Sequence, residues 1–238
     1  MPDTRQAKNA ARERVWSALE QGGAAEPGVH GHIPDFTGAD LAAERLAGLR
    51  EWLAADVVEI VPDQAQYPVR VRALAAGKLV YMAVPRLAQT RPFYCLDPAQ
   101  LTVGPGEAAD RQTADRIAPT VDIAAMQPVD LIVCGSVAVS ENGARLGKGA
   151  GYSDIEMALL AEAGLLSDAT IIATTVHELQ VTKDELPEEE HDFRVNLIVT
   201  PDRIIECGTS RRPAGLNWNE LHSDQIAAIP ALQRHPRH

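Results

Sequence analysis

The stretch from Asp130 to Glu156, DLIVCGSVAVSENGARLGKGAGYSDIE, constrains the fold more than any other part of the chain. Leu131, Ile132, Val133 and Cys134 form a short apolar run of the kind buried in a parallel sheet, and Gly135 closes it. A loop follows that carries Arg145 and glycines at alternate positions, Gly147, Gly149 and Gly151, before a helical pattern that starts near Ser153. The order is strand, glycine-rich loop, helix. Glycines without a Cβ let backbone N–H groups turn toward an anion, and a helix N-terminus adds partial positive charge. Arg145 and Lys148 add full charges, the first suited to two-pronged contact and the second a point charge. The spacing lacks the Gly-Lys-Ser/Thr triplet of a P-loop and the last interval of G-x-G-x-x-G. By itself the loop reads equally well as a tight strand-to-helix connection.

The flanking sequence supplies the rest of a layered α/β domain. Residues 4–20 predict a helix with Asp3 or Thr4 as its cap and Gly22-Gly23 at its end. Lys8 and Arg12, four apart, share one face of it. The Gly/Pro-rich loop over 22–38 holds His30 and His32, but no carboxylate or third histidine stands at helical spacing nearby, so a metal site is not expected there. A helix is predicted from Asp40 to about Ala55, a strand over 57–61, a helix from Asp63 to Ala76 and a strand over 79–84. This is a β-α-β unit, for which a right-handed crossover in a parallel sheet is the default. PFYCL (92–96) reads as an edge strand, and the Pro/Gly-broken segment up to 128 reads as irregular chain that covers the cleft. After the glycine loop come a helix over 154–164 and a strand over 169–176. His177 sits at that strand's carboxyl end, where open α/β sheets bind ligands, and is a substrate-binding candidate as well as a structural one. A strand over 195–200, a returning strand over 203–207 and one or two short tail helices complete the chain. The expected fold is a three-layer α/β domain over 1–238, its mostly parallel sheet covered by helices on both faces. Residues 1–38 form its N-terminal helix and loop, and 208–238 a tail packing on it.

Charge narrows the partners. The net charge of −11 argues against nucleic acid, whose backbone asks for a broad positive surface. Cys95, Cys134 and Cys207 are odd in number and make no C-x-x-C pair, so neither a disulfide framework nor a zinc site is indicated. No run approaches the ~18 apolar residues of a membrane span, and a cytoplasmic protein with a small-molecule substrate is expected. The oligomeric state stays open.

The run RLGKGAGYSD (Arg145 to Asp154) resembles the nucleotide-binding signature of the 5-formyltetrahydrofolate cyclo-ligase family, approximately R-L-G-x-G-x-G-Y-Y-D-R. The match covers Arg145, Leu146, the three glycines, Tyr152 and Asp154. It departs at Ser153, where the family has a second Tyr, at Ile155, where it has a basic residue, and at Ser140, where it commonly has Asp. These departures, and the string Ile33-Pro34-Asp35-Phe36-x-Gly38-Ala39-Asp40, are similar to the paralogous methenyltetrahydrofolate synthetase domain-containing branch. No RNP-like aromatic string occurs, so the RNA-recognition module carried by some of that branch is not expected.

The resemblance implies the arrangement shared with sugar-phosphate isomerases and CoA transferases. It implies ATP on Lys8, Arg12, Arg145, Gly147, Lys148, Gly149, Ala150, Gly151, Tyr152 and Asp154, with Arg145 also catalytic. Asp63 stands fourteen residues before Gly77-Lys78, where the family has a folate-binding Glu; it is equally a helix N-cap. Leu186, Pro187, His191 and Asp192 match Leu-Pro-x-x-x-His-Asp, which implies a catalytic, Mg²⁺-binding Asp192. The implied activity is ATP-dependent conversion of 5-formyltetrahydrofolate to 5,10-methenyltetrahydrofolate. Two alternatives stand beside it: a paralog acting on another phosphorylated substrate, with thiamin metabolism a suspected link, and a non-catalytic ligand-binding regulator.

Overall fold

The computed structural model describes residues 3–208, 211–212, 215–219 and 221–234. Helix α1 (Thr4–Gln21) opens the chain, with the Asp3 carboxylate accepting from Arg5 N at 3.2 Å as its cap. Next come α2 (Ala39–Ala47), α3 (Arg50–Ala54), β1 (Val57–Ile60), α4 (Tyr67–Ala75), β2 (Leu79–Ala83) and β3 (Phe93–Leu96). Short helices α5 (Pro105–Ala109) and α6 (Arg111–Ile117) lead to β4 (Thr120–Val121) and β5 (Leu131–Cys134). Then follow β6 (Ala138–Ser140), β7 (Arg145–Leu146), α7 (Tyr152–Glu162), β8 (Ile171–Thr175) and β9 (Val181–Thr182). Strands β10 (Leu197–Val199) and β11 (Ile204–Glu206) and helices α8 (Ser223–Ala228) and α9 (Pro230–Arg234) end it.

The main sheet runs β11-β10-β8-β5-β1-β2-β3-β4, parallel from β10 through β2 and antiparallel at both edges. Its central strands are buried on both faces, which is why they read as unbroken apolar runs. Alternation sends Val58 and Ile60 into one core, shared with α2 and α4, and Val57 and Val61 into the other, shared with α7 and the tail helices. The sheet with helices on both faces is the mixed α/β arrangement expected from the sequence, and β11 is the expected return strand. Strand order reverses between β1 and β5. The crevice beyond their carboxyl ends is where such sheets take ligands. No helix among the described residues is long and apolar enough to cross a membrane.

Three expectations need correction. The helix read over 40–55 breaks at Gly48-Leu49 into α2 and α3. The segment before β5 does not cover the cleft: α5 and α6 pack on α4 and β3, burying Ala108, Ala109 and Ala114 in the core on the face opposite α7. Arg145 is not in a loop. It lies in β7, which pairs antiparallel with β6, and β9 adds a parallel third strand to this small second sheet. Asn142-Gly143 forms the turn, Gly143 with φ +91° and its N–H donating to Ser140 O at 2.8 Å. That dipeptide is a hairpin signal.

Candidate functional site

The turn from Gly147 to Gly151 crosses the edge of the crevice with Lys148, Gly149 and Ala150 exposed. Gly149 and Gly151 have φ of +94° and +74°, the left-handed region that favours glycine. No backbone hydrogen bond runs from the amides of residues 147–151 to another described residue. Undonated N–H groups ahead of a helix N-terminus are the kind of group with which anions pair, and this turn is the candidate cradle.

Helix α1 lies against this turn and delivers two cations from one face. Arg12 Nε donates to Gly147 O at 2.7 Å, and its Nη1 donates to Asn9 Oδ1 at 2.7 Å. Burial lowers the pKa of this guanidinium, and the nearby Asp192 and Asp154 carboxylates oppose that. Lys8 is buried, its Nζ 2.5 Å from Glu189 Oε2 and 2.6 Å from Asp192 Oδ2. A third cation comes from beneath. The Arg145 guanidinium stacks on the Phe193 ring at 4.0 Å and meets Asp154 Oδ1 at 3.4 Å. A Cβ on Gly147 would stand 3.1 Å from Arg145 Nη1, so this charge underlies the loop directly. Its Nε is buried with no hydrogen-bond partner. Burial raises the Asp154 pKa and Arg145 works against that rise.

Lys148 reaches across the crevice to Asp63 Oδ1 at 3.3 Å. Asp63 precedes a short 3-10 turn, Gln64–Gln66, but its side chain makes no capping bond. Its Oδ2 would stand 3.1 Å from a Cβ on Gly135. Asp63 is therefore turned toward the site at the switch point. His177 has a local role: it caps the 3-10 turn Glu178–Gln180, its Nδ1 accepting from Leu179 N at 3.2 Å, and its ring meets Phe36 edge-on. These partners lie outside the cradle. Tyr152 is half-buried at the start of α7, packed against the α7 core.

Glu189, His191 and Asp192 place ligand atoms within 4.8 Å of one another. Two carboxylates are hard oxygen donors of the sort Mg²⁺ takes, but Lys8 Nζ now bridges them.

Sequence reasoning missed several residues here. Glu189 lies in the acidic run that reads as a solvated loop. Phe193 carries Arg145. Beneath the site, Glu59 of β1 and Glu156 of α7 form a buried carboxyl pair in which Oε1 of each lacks a hydrogen-bond partner. Desolvation by burial pushes Glu59 well above the usual carboxylate range and Glu156 up to about 7. Burial raises both, and with a hydrogen bond between them the pair keeps one proton shared across its two carboxyls.

A doubly wound α/β scaffold with a glycine turn at its switch point is a frame on which small-molecule sites are commonly built. Within it, residues 4–201 match the family model of the 5-formyltetrahydrofolate cyclo-ligases, and the chain belongs to that family. It is 35% identical over 239 residues to the methenyltetrahydrofolate synthase domain-containing protein of Bos taurus, covering 95% of this chain and 61% of that protein. It is 34% identical to the same-named Homo sapiens protein, with 95% and 60% covered. The chain thus spans about three-fifths of the curated relatives it matches. The NMR structure of Aquifex aeolicus 5,10-methenyltetrahydrofolate synthetase shares the fold, with a TM-score of 0.54, 22% identity, and 90% of this chain and 98% of that one covered.

Gly149 offers a direct check on the cradle. Alanine there faces a left-handed backbone and the Arg12 guanidinium 3.3 Å from its Cβ, a strain of about 1–2 kcal/mol. If these amides hold the phosphates of ATP, Gly149→Ala raises its Kd about tenfold in titration calorimetry. An unchanged Kd counts against use of these amides.

Proposed function

We propose that this protein binds ATP in the cradle and is an ATP-dependent ligase of the cyclo-ligase type acting on a folate such as 5-formyltetrahydrofolate. In that chemistry the formyl oxygen accepts the γ-phosphoryl group, a neighbouring amine closes the ring and phosphate leaves. The observation that carries this reading is the set of undonated amides from 147 to 151, framed by Lys8, Arg12 and Arg145. Little covalent work falls to the protein; positioning and charge neutralisation dominate. Loop amides and Arg12 hold the phosphates, Arg145 adds positive potential through the loop, and Asp63 orients the acceptor. Asp192 and Glu189 would hold Mg²⁺ when Lys8 turns from them to the phosphates. Incubation with ATP, Mg²⁺ and 5-formyltetrahydrofolate is expected to produce the absorbance of the methenyl product. Its absence with ATP still bound sinks the ligase reading and leaves the nucleotide site standing.

A second reading has its own support. Where the family carries a basic and an acidic residue, this chain has Ile155 and Ser140, and both are buried. Neither position can then offer a charge to a triphosphate or metal. This favours a protein that binds a nucleotide or another phosphorylated molecule without cyclo-ligase turnover.

A further inference from the structure

Glu59 and Glu156 take no part in holding ATP or its acceptor, yet they lie directly beneath the site. Glu59 is the third residue of β1, in register with Tyr81 of β2 and Ile132 of β5. Strand alternation turns it, with Val57 and Val61, toward α7, whose second turn brings Glu156 against it. Glu59 is 1% exposed and Glu156 6%; the two carboxyls hydrogen-bond to each other, and Oε1 of each has no partner. Two carboxyls in contact inside a fold do not both ionise, so the pair always keeps at least one proton.

The groups around the pair set its charge. Arg145 of β7 and Asp63, beyond the end of β1, act on Glu156 with opposite signs, and Arg70 of α4 and Cys134 of β5 act on Glu59. The Arg70 guanidinium is committed to Val61 O at 2.6 Å and Ala109 O at 2.9 Å. Tyr81 OH accepts from Gln127 N at 3.1 Å, and burial raises both this phenol and the Cys134 thiol, so both stay neutral near pH 7. Asp154, two positions before Glu156, is paired with Arg145 at 3.4 Å. Arg145 is therefore common to both layers. Its guanidinium underlies the glycine turn, its Nε is buried without a partner, and it is the cation that acts on Glu156.

We propose that Glu59 and Glu156 take up a proton when an anion binds the glycine turn, which makes the pair a proton-coupled counter-charge to the phosphate site. The inference rests on the turn holding phosphate. With one proton the pair carries a single negative charge, and with two it carries none. A polyphosphate on the turn adds negative charge around the same guanidinium that acts on Glu156, and in a poorly screened interior this favours the neutral pair. One proton from solvent joins a carboxylate oxygen, and no other bond changes. Burial brings Glu156 up to about 7, so uptake falls just above neutrality. Below that range the pair already holds both protons and binding takes none. Above it each bound anion must bring a proton, so affinity declines as pH rises.

Titration calorimetry of the full chain with ATP, in two buffers of different ionisation enthalpy, counts the protons. At pH 7.5 the unaltered protein is expected to take up about a third of a proton more per ATP than Glu156→Gln, whose glutamine cannot ionise. Between pH 6 and pH 8.5 it is expected to lose about fivefold more ATP affinity than the variant. The ionisation of ATP itself enters both proteins alike and cancels. Infrared difference spectra of the unaltered protein at pH 7.5 are expected to gain a protonated-carboxyl band when ATP is added. No gain overturns the proposal whether or not the variant folds. Equal proton counts and equal pH slopes in the two proteins also overturn it and leave the phosphate site standing. Failure of the unaltered protein to bind ATP at any pH removes the phosphate site and the coupling with it.

Discussion

Arg145→Ala is expected to weaken ATP binding by at least ~1.5 kcal/mol, roughly tenfold, and to destabilise the fold by about 3 kcal/mol. Both effects come from one geometry. The guanidinium is 3% exposed in its side chain, stacked on Phe193 and ion-paired with Asp154. Its removal leaves the Asp154 carboxylate, whose pKa burial already raises, without its nearest cation. Positive charge beneath a loop of undonated amides also acts in a poorly screened environment, where its attraction for a polyphosphate exceeds that of a surface lysine. Arg145→Lys separates the two roles. It keeps a charge under the loop but loses the planar stack and the fork, so it is expected to restore much of the ATP affinity and little of the stability. Calorimetry and chemical denaturation read the two quantities independently. If ATP binding survives Arg145→Ala unchanged while stability falls, the residue is a strut for Phe193 and Asp154 and contributes nothing to the cradle.

The same residue shows what could be read from the chain and what could not. Alternating glycines after an apolar strand announce a backbone free to face an anion, and five parallel strands announce themselves as apolar runs, because burial on both faces removes any alternation. The sequence reads Arg145 into a loop because β6 and β7 are three and two residues long, too short for periodicity. The turn dipeptide Asn142-Gly143 was the available signal. Lys8 and Arg12 were legible as neighbours on a helix face, since four residues make a little over one turn. Their partners were not: Glu189 and Asp192 lie more than 175 residues away in sequence, and only the packing of α1 on the second sheet brings them within bonding distance. The tail's arrival at α7 was equally hidden, because it depends on Ile229, Ala231 and Leu232 finding a core that the strands build.

Glu156→Gln is expected to stabilise the protein at pH 8 by about 3 kcal/mol, with the gain vanishing near pH 5. Glu156 is raised from 4.5 to about 7 by burial, Glu59 is raised well above the usual carboxylate range by the same cause, and the two share a proton. A carboxyl whose folded pKa lies above its unfolded one binds more protons folded than unfolded, so its contribution is full below the unfolded value. That contribution is lost as pH climbs toward the folded value, here between about 4.5 and 7. Above that window the pair gives up one proton and leaves a single carboxylate in the fold's interior at the cost of its hydration. Glutamine keeps the shape and still accepts the hydrogen bond from protonated Glu59, but has no charge to desolvate. A gain of this size corresponds to a rise of about 6–12 °C in Tm for a chain of this length. Denaturant unfolding of the unaltered protein and the variant at pH 5 and pH 8 decides the matter. A difference that does not change with pH, or a variant less stable at pH 8, means that Glu156 is not the group that ionises. A pair that holds one proton lies under the cradle and feels the Arg145 charge. It lets the fold place two acidic residues below an anion site while carrying at most one negative charge there, which is the condition for the cradle above to remain attractive to phosphate.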